Sequence, residues 1–177
     1  MVMAVAGVLA APALAQRPAE YQVKAAYLYG FGRFVEWPAS AAAAGDGAFV
    51  LCVLGEDPFG RLLDRAVEGG LLKNQPVSVR RIDRAEDSAS CDTLFVSASE
   101  EPRLPRILSV LARRPVLTVG DSPDFAQRGG MIGFSVEGSR VRFTVNLWAP
   151  NHVEFPRNDF EPVGIRRSVH ASVTWRR

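Results

Sequence analysis

The chain has no G-x-G-x-x-G after a strand and no G-x-x-x-x-G-K-[ST], so the usual loops for dinucleotides and nucleotide phosphates are excluded. Its only histidines, His152 and His170, lie near the C-terminal end, and neither has a serine or cysteine partner in a recognised nucleophile context. There are two cysteines, Cys52 and Cys91, with no histidine or third cysteine beside either, which argues against a metal centre. The formal net charge is only +2 and the Lys and Arg residues are scattered, so nucleic acid is not an expected partner. No internal repeat is visible, and no apolar run reaches the ~20 residues that span a bilayer. These absences lead to the expectation of a non-enzyme with no catalytic residue, no cofactor and no metal.

What remains is ordinary globular material. The 177 residues, 47% hydrophobic and 23% charged, suit one domain with a single sizeable core. Residues 1–15, MVMAVAGVLAAPALA, carry no charge and finish in Ala13-Leu14-Ala15, the small-x-small pattern of a cleaved export signal. Pro12 interrupts the run, and the missing basic n-region points to a translation start upstream of Met1. No cysteine follows the run, so a lipoprotein is not indicated. Export makes a disulfide feasible, because such bonds persist outside the cytoplasm. Cys52 lies in AFVLCVLG and Cys91 immediately precedes TLFVS, both strand-like. From the residues alone, a bridge between neighbouring strands and two buried thiols both remain open.

Tyr21 to Trp37 reads as an amphipathic helix ended by Pro38. At 100° per residue Val23, Phe34, Tyr27, Phe31, Val35, Leu28 and Tyr21 share an arc of roughly 160°. Lys24 falls inside that arc, and Gln22, Arg33, Glu36, Ala25, Ala26 and Gly32 lie opposite. A small-residue linker at 39–47 follows. Strand and helix signals then alternate: FVLCVLG, a helix from Asp57-Pro58 to about Val67, a strand within Asn74 to Ile82, TLFVSAS, a helix over Arg103 to Ala112, and PVLTVG. This order predicts an α/β fold with a largely parallel central sheet and helices on both faces. The stretch GGMIGFSVEGSRVRFTVN adds a C-terminal antiparallel hairpin looped at Gly138-Ser139, pairing Glu137 with Arg140, Val136 with Val141, Phe134 with Phe143 and Ile132 with Val145. It is expected at the margin of the sheet. Prolines 150, 156 and 162 punctuate the tail at 148–177, where only SVHASVTW is strand-like.

Ligands of open parallel sheets bind outside the carboxyl ends of the strands. Those ends read Gly55-Glu56-Asp57, Ser97-Ala98-Ser99-Glu100 and Gly120-Asp121-Ser122, so Glu56, Asp57 and Asp121 are candidate contacts for a small polar ligand. Helix capping is the structural explanation for Asp57 and Ser122, each of which precedes a proline. On the opening helix Lys24, Tyr27 and Phe31 are candidates for a partner or an acidic group, with Lys24 a rim cation snorkelling past tyrosines.

Taken in order, VKAAYLYGFGRFVEWP, LCVLGEDPFG, CDTLFVSASE and VLTVGDSPDFAQRGGMIGFSVEGSRVRFTVN resemble the YfiR-like family of bacterial periplasmic proteins, from Tyr21 to Leu147. The resemblance implies a small α/β domain, often a homodimer, over 20–147. It further implies repression of an inner-membrane diguanylate cyclase through that enzyme's periplasmic region. It also implies a bridge between Cys52 and Cys91, since members carry cysteines at the matching positions. The competing function is a periplasmic small-ligand sensor with no cyclase partner. After Leu147 the family continues as alanine-rich helix, whereas Trp148-Ala149-Pro150 opens a different tail.

Overall fold

The computed structural model describes residues 13–37, 47–147, 149 and 169–171, with side chains described for 19–37, 47–147 and 149. The expectations for residues 1–12 of the leader, for Pro38, for 39–46 of the linker and for most of the 148–177 tail, His152 included, fall outside the described residues.

The elements are α1 (Ala13–Phe31), β1 (Phe49–Leu54), α2 (Arg61–Val67), β2 (Leu71–Leu72), β3 (Gln75–Ile82), β4 (Thr93–Val96), α3 (Leu104–Leu111), β5 (Leu117–Gly120), β6 (Ile132–Glu137), β7 (Arg140–Val145) and β8 (Val169–Ala171). Short 3-10 helices at Ala85–Ser90 and Ala98–Arg103 flank β4. They form one sheet in the order β2-β3-β1-β4-β5-β6-β7-β8. Strands β3, β1, β4, β5 and β6 run parallel, whereas β2, β7 and β8 each pair antiparallel with a neighbour.

Period-two alternation divides the parallel strands between two cores. Leu51, Val53, Phe95, Leu117 and Val119 point to the side covered by α1 and α2, through Leu28, Phe31, Leu63 and Val67. Cys52, Leu54, Leu94 and Val96 point to the other side, covered by Leu104, Ile107 and Leu111 of α3 and by Phe125. Helices therefore occupy both faces, as the alternating pattern requires. The hairpin register is the expected one, from Ile132 opposite Val145 to Glu137 opposite Arg140. It is not marginal, however, because β8 pairs beyond β7.

Three further expectations are corrected. Helix α1 stops at Phe31, not at Trp37. Gly30 and Gly32 are poor helix formers, and the chain turns with Arg33 N–H donating to Gly30 O at 3.0 Å and Phe34 N–H to Phe31 O at 3.0 Å. A Cβ on Gly32 would lie 2.7 Å from Leu72 Cδ1, so a larger residue would make the Leu72 side chain move where α1 meets β2. The buried face of α1 is also rotated from the predicted arc: Ala25 is fully buried, while Val23 and Phe34 are 36% and 54% exposed. Helix α2 packs on α1. Finally, no helix follows β5. Asp124 adopts φ 54°, a left-handed conformation incompatible with helix, and residues 122–129 form consecutive turns.

The structure joins Cys52 to Cys91, 39 residues apart, with Cα atoms 5.8 Å apart. The bridge ties β1 to the start of β4 within the α3-side core, where both residues are buried. Chain-entropy reasoning for a loop of this length puts the stabilisation at about 2–4 kcal/mol. Reduction should lower the urea midpoint correspondingly. An unchanged midpoint in the reduced protein would show that the bridge contributes nothing.

Candidate partner and ligand site

Loops leaving adjacent parallel strands toward opposite faces open a crevice between them. Here that switch point lies between β1, whose chain continues to α2, and β4, which leads to α3 on the other face. Its two lips are sewn together, since Glu56 N–H donates to Ser99 Oγ at 3.0 Å. Gly55 makes the approach feasible. It has φ 87°, and a Cβ there would lie 2.6 Å from Ser99 Oγ. Asp121, at the end of neighbouring β5, accepts the Ala98 N–H at 3.1 Å through Oδ1.

Asp121 Oδ2 faces α1. It accepts from Tyr21 Oη at 2.7 Å and from Lys24 Nζ at 3.1 Å. The Lys24 and Asp121 side chains are only 4% and 3% exposed, and Lys24 also meets Glu20 at 2.5 Å. The ammonium lies 4.5 Å from the Tyr21 ring centroid, and the Tyr21 ring packs edge-on against Phe59 at 5.4 Å. The first turns of α1 thus close the carboxyl edge of the sheet with a buried ion pair. Lys24 is no rim residue: it is 3% exposed, because Asp121 reaches it from a strand 97 residues away.

The other candidates separate. Phe31 is buried, and its ring meets those of Tyr27, Phe134 and Phe143 at 6.0, 5.8 and 5.0 Å, so Tyr27 and Phe31 seat α1 on the hairpin. Asp57 ties down the β1–α2 loop: Oδ1 accepts the Phe59 and Gly60 N–H groups, and Oδ2 pairs with Arg81 Nε at 3.0 Å. Arg81 also pairs with Asp64, whose carboxyl its hydrogen bond holds below the usual range. Glu56 contributes its backbone N–H and an exposed side chain. Of the predicted set, Lys24 and Asp121 meet at the carboxyl edge, and Tyr27 and Phe31 stack on one another under the hairpin, away from that edge. Tyr21 and Glu20 complete the cluster of Lys24 and Asp121. The i, i+4 spacing of Glu20 and Lys24 was a readable signal for part of it.

At the opposite, amino end of the sheet, Asp92 Oδ2 accepts the Val50 N–H at 2.7 Å. The Asp92 carbonyl oxygen accepts Trp37 Nε1–H at 3.1 Å. Burial pushes the Asp92 carboxyl above its ordinary value, and the Val50 hydrogen bond only partly offsets this. A carboxyl raised on folding adds stability below its unfolded pKa and loses that contribution as pH rises through the folded pKa. Asp92→Asn keeps an acceptor for Val50 and removes the titration. In paired urea titrations at pH 7 and pH 4, the wild type should gain relative to the variant at the lower pH. A gap that is constant or moves the other way would reject the assignment.

A family model described as YfiR/HmsC-like matches residues 21–155. The chain belongs to the YfiR/HmsC-like family. The match includes α1 from Tyr21, the whole parallel sheet and the hairpin, and it continues past Leu147 into the segment expected to depart from the family. YfiR-like membership points to a periplasmic regulator of a diguanylate cyclase and to a regulatory rather than a catalytic role. No helix among the described residues is long and apolar enough to cross a membrane.

Proposed function

We propose that the protein represses an inner-membrane diguanylate cyclase by binding that enzyme's periplasmic region, after export and removal of the leader at 1–15. The family match over residues 21–155 is the observation that carries this reading. The same membership supports action as a homodimer. Because Lys24, Tyr27 and Phe31 are spent on holding α1 to the domain, we place the partner contact on the outward side of the α1–β2 junction. Phe34 and Leu71 are 54% and 60% exposed there. Tyr29 Oη donates to the Leu71 carbonyl at 3.3 Å, and Gly32 abuts Leu72, so the two elements form one surface. Exposed apolar side chains on a fixed frame suit a partner-binding patch.

Immobilised protein should retain a diguanylate cyclase from detergent-solubilised inner membranes. Phe34→Asp should abolish retention with little effect on folding, because the side chain is already half in solvent. Retention of no cyclase by the wild type would favour the reading as a ligand sensor without a cyclase partner.

A further inference from the structure

With the carboxyl-edge crevice closed by α1, a second opening lies at the amino end of the sheet. It measures about 180 Å³ and sits between the starts of β1, β4 and β5, under the 3-10 helix Ala85–Ser90. Val50, Pro115, Val116 and Cys91 make an apolar floor. Two groups of opposite charge line the same opening, Asp92 and Arg114. Each is positioned by other atoms. Asp92 is fixed by the Val50 N–H, whereas Arg114 Nη1 donates to Glu86 O at 2.8 Å and to Ser88 Oγ at 3.1 Å. They form no ion pair with one another, and no cation contributes to the Asp92 shift.

A carboxylate and a guanidinium that line one small, apolar-floored pocket, each anchored to other groups and not to one another, are complementary to a molecule that carries both an ammonium and a carboxylate. The volume is below the ~300 Å³ at which pockets begin to take drug-sized ligands. We infer that this pocket binds a small zwitterion of α-amino-acid size, its ammonium on Asp92, its carboxylate on Arg114 and its side chain on the Val50–Val116 floor. The guanidinium suits a carboxylate through paired N–H donors, and each charged contact in a half-buried site loses much of its worth when one end is capped. This inference does not rest on the cyclase reading, because Cys91 and Val116 of the pocket belong to the α3-side core whereas α1, which leads to Phe34, covers the other side of the sheet.

The test uses the intact protein and L-valine, its near-isostere L-valinamide, and N-acetyl-L-valine, whose added acetyl bulk is controlled for by the Asp92→Asn comparison. Isothermal titration should detect L-valine, with capping of either end weakening binding about tenfold or more. Asp92→Asn should narrow the penalty for N-acetylation, and Arg114→Gln the penalty for amidation. Those crossed responses distinguish contact from misfolding, which would weaken all three probes equally. Equal affinity of the wild type for the three probes would overturn the proposal, as would no binding of L-valine, L-serine or glycine at millimolar concentration.

Discussion

Lys24→Glu should destabilise the domain by about 5 kcal/mol or more, enough to unfold many domains of this size at room temperature. Removing one partner of a buried pair typically costs 3–5 kcal/mol, and reversal here adds a third carboxylate beside Glu20 and Asp121. A rim lysine would have tolerated the same change. The control is Lys24→Met with Asp121→Asn. It removes both charges while the side-chain amide at position 121 still accepts the Ala98 N–H through its oxygen and can donate to the Tyr21 hydroxyl, and it should restore most of the stability, since apolar replacement of a buried pair is often neutral. Urea unfolding of the two single variants and the double variant supplies the coupling. A wild-type midpoint for Lys24→Glu would mean that the ammonium is not held in the cluster.

The second large effect concerns Phe31. It is 7% exposed, and its ring meets those of Tyr27, Phe134 and Phe143. Truncation to alanine should cost about 3–5 kcal/mol, the lost transfer energy plus that of the cavity left behind. Part of the loss is geometric, since edge-on ring pairs such as Phe31–Phe143 are worth up to about 1.5 kcal/mol beyond burial. Phe31→Leu should cost less than half as much. The cavity would lie between α1 and the hairpin, so Phe31→Ala should also raise hydrogen exchange of α1 amides more than those of β1. A uniform rise would show that α1 does not open separately.

The contrast between these residues marks what the sequence could disclose. The strands were readable because their apolar runs are short and bounded by turn residues. The hairpin register was readable because a side-chain period of two leaves one pairing that buries Phe134, Phe143, Val141 and Val145 together. The C-terminal end of α1 was not, because the apolar periodicity runs on past Phe31 whereas the chain turns between Gly30 and Phe34. Helical periodicity located an apolar stripe but could not rotate it onto α2, so Ala25 was placed in water and Phe34 in the core. Lys24 was legible as an anomaly and not as an ion pair, since its partner lies 97 residues away across the sheet. The Asp92–Arg114 pocket had no local signal at all, because its residues gather from three strand starts.

These placements bear on function as well as stability. A helix fastened at Lys24 and seated by Phe31 presents Phe34 from a rigid frame, which lowers the ordering cost of binding a partner. Variants that loosen α1 should therefore weaken repression through folding, and Phe34→Asp through contact alone. Comparing protein abundance with activity for both classes separates the two routes.

Cellular cyclic di-GMP is the most direct measure of the central claim, recorded in a strain that expresses the protein, after deletion of its gene and after restoration. Repression of a diguanylate cyclase predicts that deletion raises the dinucleotide, that the wild-type gene lowers it again, and that Phe34→Asp, expressed to the same level, does not. An unchanged cyclic di-GMP level on deletion would contradict the account.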